Sequence, residues 1–364
     1  MIYPANFEEK IGFDRIREQV TALCSTPSAK AKLAEEGFST SADEIERRLS
    51  LMNEMRSLLM LERDFPDGDY PDPAPLVAKI RVEGSYLLAA EADQLRKALV
   101  TVGAIAEFIL GRGGARYPRL WELSRRVTLF PEIVRAIDAI LDDRGEVKDS
   151  ASPELQQVRR AIREREGQAA KRLQQVLQRA KQAGIVDADA VLSVRDGRPV
   201  IPVAAANKRK LQGFIHDESA TGRTFYVEPV EVVEINNELK ELEYAERREV
   251  VKVLSAFTES IRPDAEAIAD AGDYLSSVDM IRAKARWALA NDAGKPILST
   301  DDRLELRTAR HPLLQQTLRA QGREVVPLDL ALDRRKHILV ISGPNAGGKS
   351  VCLKTTGIVQ YMFQ

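Results

Sequence analysis

The sequence predicts a mainly α-helical protein with a small β region, followed by the start of an α/β domain. Apolar residues recur at spacings of three and four through two long stretches, 153–183 and 230–261, as they do along one face of a helix. Between these stretches the apolar period changes to two, which is typical of short strands. Near the end, the apolar run 338–341 precedes a glycine-rich loop and another helical stretch.

These changes of period divide the chain into five predicted segments. Residues 1–150 form a helical core, and 151–185 form a long ascending helix. Residues 186–229 form a small β region, here called the β tip. Residues 230–300 form a returning helix with further core helices, and 301–364 begin the α/β domain.

Composition narrows the class of protein. Hydrophobic residues make up 44% of the chain, enough for buried cores, while 30% charged and 5% aromatic residues indicate long solvated helices. The two cysteines are far apart and the three histidines are isolated, so no disulfide framework or metal cluster is expected. Without a secretory signal or an apolar run of roughly 18 residues, we expect no membrane association and a cytoplasmic location.

The glycine-rich loop has the spacing of a phosphate-binding loop, or Walker A motif: two glycines five residues apart, followed by Lys and Ser. Glycines let the backbone turn so that several N–H groups face one anion, and the next helix adds its positive end. A lysine here reaches the β- and γ-phosphates, and a serine ligates Mg²⁺. The sequence therefore predicts an ATP and Mg²⁺ site at Gly343, Pro344, Asn345, Ala346, Gly347, Gly348, Lys349 and Ser350.

Two finer assignments accompany this loop. Asn345 is predicted to orient phosphate or the attacking water, and Val325 and Val326 are candidates for the wall of the adenine pocket. A P-loop ATPase also needs an acidic residue on a later strand to hold Mg²⁺. No such strand follows Ser350 before Gln364, so we expect the chain to be the front part of a longer protein and inactive by itself.

The two long helices differ in charge. Eight Lys or Arg and three Glu lie between residues 154 and 181, whereas 231–262 carries eight Glu and five Lys or Arg. Opposite charge and similar length predict an antiparallel pair with the β tip at its far end. The basic helix has two open interpretations, a solvated face or a stripe facing nucleic acid.

The β tip contains a strong turn signal. Asp196-Gly197 predicts a two-residue hairpin, and strands over 211–216 and 224–227 complete a predicted β meander. Cations concentrated in a loop and its flanking strands can contact phosphates without being buried. The alternative is a loop made basic for solubility. The candidate nucleic-acid-binding residues are Arg195, Arg198, Lys208, Arg209, Lys210 and Arg223.

The order of these elements, ending in the loop 343–350, resembles that of MutS-type ATPases. Three stretches are similar to the bacterial MutS-II family: 143–153, then 200–203 with 213–217, and 309–312. On this resemblance, we expect the protein to begin directly in the helical core, without a mismatch-recognition domain. Two Phe-x-Glu matches, at 7–9 and 257–259, lie in helical segments, and we interpret them as chance rather than as a mismatch wedge.

The resemblance implies a helical MutS-like core, lever helices with a clamp, and an ABC-like ATPase working as a homodimer. It implies two nucleic-acid substrates. One is branched or double-stranded DNA, with suppression of homologous recombination. The other is a collided ribosome with its rRNA, which the ATPase splits into subunits. The family's Mg²⁺-binding acid, trans-acting residues and Smr nuclease domain would lie beyond Gln364.

Two other classes stay open. A chromosome-organising ATPase of the SMC-like kind also joins a P-loop to coiled-coil helices, but there the P-loop precedes the coiled coil. A non-catalytic binding module with a vestigial nucleotide loop is the other alternative, and the intact Gly348-Lys349-Ser350 argues against it.

Overall fold

The computed structural model describes residues 4, 6–195, 197–299, 301–344 and 348–364. They form two compact units: 1–82, 93–134 and 262–364 make the first, and 83–92 with 135–261 make the second. The helices are α1 (Phe7–Ile11), α2 (Phe13–Leu23), α3 (Pro27–Glu35), α4 (Ala42–Leu61), α5 (Ala74–Ile80), α6 (Ala89–Gly111), α7 (Pro118–Ser124), α8 (Pro131–Ile140), α9 (Pro153–Gln182), α10 (Val230–Ile261), α11 (Ala265–Ala290), α12 (Pro312–Ala320) and α13 (Lys349–Phe363). The strands are β1 (Ser193–Arg195), β2 (Arg198–Ala204), β3 (Gly213–Glu218), β4 (Thr224–Pro229), β5 (Leu304–Ala309) and β6 (Leu328–Leu332).

The mainly helical class with a small antiparallel β region is as predicted. The five predicted segment boundaries stay a prediction. Within the described ranges, none of the helices combines the length and apolar character needed to cross a membrane.

The core of the first unit surrounds α11. Buried side chains of α4 and α6, such as Met55, Leu58 and Ile105, pack with Leu275 and Val278 of α11. Because α11 is buried on several sides, it lacks the single apolar stripe of a surface helix.

A buried arginine links loops of this unit to α11. Arg282 is fully buried, and its Nη2 donates to Asp279 Oδ1 at 2.8 Å. Its Nη1 donates to the Gly68 carbonyl at 2.6 Å, and its guanidinium stacks on Tyr70 with 3.8 Å to the ring centroid. Asp279 Oδ2 in turn accepts the backbone N–H of Thr26 at 2.8 Å. The charges of Arg282 and Asp279 therefore neutralise each other, which offsets the cost of burying them.

In the second unit, α9 and α10 pack as the predicted antiparallel pair. Arg159 Nε lies 2.7 Å from Glu246 Oε1, and Arg165 Nε lies 2.9 Å from Glu238 Oε2. Going from Arg159 to Arg165, the residue number of the paired glutamate decreases from 246 to 238. The two helices therefore run in opposite directions. The basic and acidic helices thus pair through their charges as well as their apolar seams.

The sheet of the β tip has the order β1-β2-β4-β3 and is fully antiparallel. The predicted hairpin is confirmed, since Arg195 pairs with Arg198 across the turn. The predicted meander is wrong, because β4 inserts between β2 and β3. Burial explains this order: Ile201 in β2 and Val227 in β4 are fully buried, whereas Phe214 in β3 is 59% exposed. The most apolar strands therefore take the centre and β3 takes the edge.

The segment 338–341 is not the buried strand that its apolar run predicts. Ile338, Leu339, Val340 and Ile341 lie outside regular structure and are 76%, 52%, 84% and 37% exposed. The strands that precede this segment in the sequence, β5 and β6, pair with each other in a two-stranded sheet. Without a neighbouring strand, an extended segment has no hydrogen-bond ladder to stabilise it. The helix predicted after the loop is confirmed as α13.

Candidate nucleotide loop and nucleic-acid surface

The described part of the glycine-rich loop lies at the start of α13. Gly348 is the N-cap residue and has left-handed backbone angles, with φ of 84°, which glycine adopts without a steric penalty. Lys349 Nζ donates a hydrogen bond to the Gly343 carbonyl, and Ser350 is exposed. The first turn of α13 carries no acidic residue. Asn345, Ala346 and Gly347 lie outside the described residues.

These features fit the phosphate groups of ATP. The helix start presents unpaired N–H groups and a positive dipole end, with no carboxylate to repel an anion. Lys349 would hold the phosphates and Ser350 the Mg²⁺ that accompanies them. Val326 is 89% exposed and Val325 is half-buried, so an adenine wall at these residues stays a prediction.

The far end of α13 is anchored in an aromatic cluster. The Tyr361 ring lies 4.7 Å from that of Phe13 and 5.4 Å from that of Phe38, measured between centroids. Its hydroxyl donates to Glu8 Oε1 at 2.5 Å. Burial, together with this carboxylate, raises the pKa of Tyr361 to about 12. Sequence reasoning missed this contact, because nothing local relates residue 361 to the first helices.

Two of the six candidate cations are engaged within the tip. Arg195 Nε pairs with Asp217 Oδ2 at 2.9 Å, and its guanidinium lies 3.8 Å from the centroid of the Tyr226 ring. Arg198 Nη1 donates to both carboxylate oxygens of Glu228 at 2.9 Å. These interactions leave both arginines with a structural role in the sheet.

Glu228 is the centre of a polar cluster that the sequence did not indicate. It is 1% exposed and accepts hydrogen bonds from Arg198, from Asn236 Nδ2 at 2.6 Å and from His216 Nε2 at 2.6 Å. Burial by itself would raise the pKa of Glu228, but the hydrogen bonds from Asn236, His216 and Arg198 outweigh it and lower the pKa. The carboxylate therefore stays charged and holds β2, β3, β4 and α10 together.

The other four cations are exposed. Lys208 Nζ lies 4.4 Å from the centroid of the Phe225 ring, a contact that leaves the ammonium in water. Within the described ranges, the side chains of Arg209, Lys210 and Arg223 have no ion-pair or hydrogen-bond partner. This set of three, here called the free cations, is therefore available to an external anion.

The basic stripe of α9 divides into two halves. Near its start, Arg159 and Arg163 both pair with Asp149, at 2.8 and 2.9 Å. In the half beside the β tip, no described acidic side chain pairs with the remaining cations. They are Lys171, Arg172, Arg179 and Lys181, of which Lys181 donates a hydrogen bond to the Ala188 carbonyl at 2.8 Å. The loop that carries two of the free cations adjoins this half, since Asn207 Nδ2 donates to the Ile185 carbonyl at 3.1 Å.

Comparison with known proteins relates the chain to one group of bacterial relatives. It is 32% identical over 354 residues to a protein named endonuclease MutS2 from Bacillus velezensis, covering 97% of this chain and 44% of the relative. Endonuclease MutS2 of Thermomicrobium roseum is 34% identical over 365 residues, covering 97% and 45%. A putative endonuclease MutS2 of Bacillus subtilis is 32% identical over 354 residues, covering 97% and 44%. The chain thus spans less than half the length of these relatives. No protein-family model matches it.

Proposed function

Because the chain belongs to the MutS2 family over the residues that align with these relatives, we propose that it is the clamp-bearing part of a nucleic-acid-dependent P-loop ATPase. The α9–α10 pair is the lever, the β tip is the clamp, and the loop at the start of α13 binds ATP with Mg²⁺. Family membership also favours this function over an SMC-like ATPase or a binding module.

The observation that carries the proposal is the presence of the free cations, Arg209, Lys210 and Arg223, at the end of a long helix pair. Unpaired exposed cations close together attract a polyanion, whereas cations already paired with carboxylates do not. The unpaired half of α9 extends the same basic surface. A phosphate backbone is the ligand that such a surface fits.

The proposed substrate is branched or double-stranded DNA, because the relatives are named endonucleases. The nuclease activity in that name is proposed for the whole protein and not for residues 1–364. Two copies would act together as a homodimer in the cytoplasm, with each lever presenting one β tip. The rRNA of a collided ribosome presents the same phosphates and is the competing substrate.

A salt series tests the proposal. Binding of four-way junction DNA, linear duplex and an rRNA hairpin to residues 1–364 is measured by fluorescence anisotropy without nucleotide. Removing one cation that binds a phosphate lowers the slope of log K against log salt by roughly one. The triple variant Arg209→Ala/Lys210→Ala/Arg223→Ala should therefore reduce the slope on the true substrate by roughly three.

The matched control removes three exposed cations near the other end of the helix pair: Arg144→Ala/Arg160→Ala/Lys252→Ala. It changes the net charge equally, so it should leave the slope almost unchanged. Equal reductions of the slope in both variants would mean that binding depends only on net charge and would overturn the proposed surface. A reduction confined to the rRNA hairpin would move the substrate from DNA to the ribosome.

A further inference from the structure

The α9–α10 pair is packed at both ends and not in its middle. Beside the β tip, Leu173 of α9 lies in one buried cluster with Val227 of β4 and Val232 of α10. Towards the opposite end of the pair, Leu155 of α9 and Leu254 of α10 are buried. Each end therefore has an apolar core that holds the two helices in place.

The middle of the pair comprises residues 156–168 of α9 and 237–253 of α10. Both stretches are fully described, and neither contains a buried side chain. The interhelix ion pairs of Arg159 and Arg165 lie here. Both partners of the second pair are more than 40% exposed, a setting in which an ion pair adds little stability. Because helices in proteins are stabilised mainly by burial of one face, this stretch bends with a small change in free energy.

Gly167 lies where the middle of α9 meets the packed half. It is in the interior of a 30-residue helix, where glycine is the least favourable residue after proline. Its position is exposed, and an added Cβ would have no described atom within 4 Å. Neither packing nor a close backbone approach therefore requires glycine here, and its main effect is to weaken the helix locally.

The packed half ends at the same level on α10. Asn236 Nδ2 donates to Glu228, and Asn237 Oδ1 accepts a hydrogen bond from Arg198 Nη2 at 3.0 Å. These bonds attach the first two turns of α10 to the β tip. The next residue, Glu238, pairs with Arg165 of α9, two residues before Gly167.

We propose that the lever has a hinge at this level, so that the β tip and the adjoining ends of α9 and α10 rotate together about Gly167. Gln182, the last residue of α9, lies 15 residues beyond Gly167. That separation is about 22 Å along the helix axis, so a kink of about 20° moves the end of α9 by about 8 Å. The rotation carries the free cations with it. The inference goes beyond the proposed function, because it requires neither nucleic acid nor nucleotide.

The distance between two nitroxide spin labels on α9 tests the hinge. Gln157→Cys and Gln178→Cys carry the labels in a Cys352→Ala background, since both positions are exposed and lie on either side of Gly167. Cys24 is retained because it is buried and because burial raises its pKa to about 11. Pulsed electron paramagnetic resonance should give a broad distance distribution for the parent. Gly167→Ala should narrow it around about 32 Å, the separation along a straight helix.

The matched control moves the glycine into the packed half of α9: Gly167→Ala/Gln174→Gly. Gln174 is exposed, and its neighbours Leu173 and Val176 are buried. This variant should give the same narrow distribution as Gly167→Ala, because the buried neighbours hold the helix straight. A distribution as broad as that of the parent would mean that a glycine bends α9 at any position, and it would overturn the role of the unpacked middle.

Hydrogen exchange gives a second readout on the unlabelled chain. Backbone amides of residues 163–169 should exchange faster than those of 173–179 by on the order of tenfold, because local opening breaks fewer buried contacts there. Gly167→Ala should slow exchange in 163–169 about fivefold.

A parent distance distribution as narrow as that of Gly167→Ala would overturn the hinge. So would equal protection of the amides on both sides of residue 170. Neither result would alter the salt slope set by the free cations, so this inference and the proposed nucleic-acid surface fail separately.

Discussion

Arg198 Nη1 lies 2.9 Å from both carboxylate oxygens of Glu228, a side chain that is 1% exposed. This ion pair ties Arg198 into the sheet, and its predicted contact with nucleic acid stays a prediction. A basic residue in a β tip thus has one of two roles, and the partner of its side chain decides which. Arg209 has no such partner in the described residues.

The two roles are separable by comparing Arg198→Ala with Arg209→Ala. Removing Arg198 leaves a buried carboxylate without its cation, so we expect the free energy of unfolding to fall by about 2 kcal/mol. At a temperature where the variant stays folded, its salt slope for DNA binding should equal that of the parent. Arg209→Ala should keep its stability and reduce the slope by roughly one. Reversal of this pattern would show that Arg198 faces the ligand.

The stability of the β tip should depend on pH through Glu228. Its folded-state pKa is lowered below the ordinary value of 4.5, so its contribution to stability is fully present above that pH. The contribution is lost as pH falls through the folded-state pKa. Urea unfolding is measured from about pH 6 to about pH 3 for the parent and for Glu228→Gln.

The stability gap between parent and Glu228→Gln should be constant in the upper part of this range and narrow below pH 4.5. Taking the difference removes the contribution of the other carboxylates. A gap that widens on acidification would contradict the lowered pKa.

The helix pair should be sensitive to Arg159. Its side chain bonds to Glu246, to Asp149 and to the Val147 carbonyl, and it is 22% exposed. Because three acceptors lose their donor, Arg159→Ala should lower the free energy of unfolding by about 1 kcal/mol. Arg160→Ala is the neighbouring control, since Arg160 is 78% exposed and, among the described residues, bonds only to Glu164 of its own helix. Equal effects from both would mean that the interhelix ion pair contributes nothing.

The loop before α13 should bind ATP with Mg²⁺ through Lys349. Lys349→Ala should weaken binding by on the order of tenfold or more, because it removes the charge that meets the phosphates. Lys354→Ala, an exposed lysine on the same helix, should bind like the parent. Calorimetric titration measures both.

We further expect residues 1–364 to show no ATP turnover above the Lys349→Ala variant. The acid that holds Mg²⁺ in such sites is expected on a strand beyond Gln364. Turnover that the lysine substitution abolishes would mean that a residue of this chain performs that role.

The sequence by itself determined the features that depend on a few neighbouring residues. The apolar seams of α9 and α10, the hairpin at residues 195–198 and the helix after Gly348 follow from periodicity and turn chemistry. Their pairing also followed, since a basic and an acidic helix of similar length joined by a short β region have one simple packing. The family resemblance came from the same local stretches and is confirmed by the relatives.

The tertiary structure decided everything that depends on which distant residues meet. It placed β4 between β2 and β3. Burial of Val227 stabilises β4 in this central position, and chain order does not reveal that burial. It left 338–341 unpaired, because a strand needs a partner for its backbone hydrogen bonds. β5 and β6 form those hydrogen bonds with each other. It also separated Arg198, bound to Glu228, from Arg209, because whether a charge is free depends on the partner that folding brings to it.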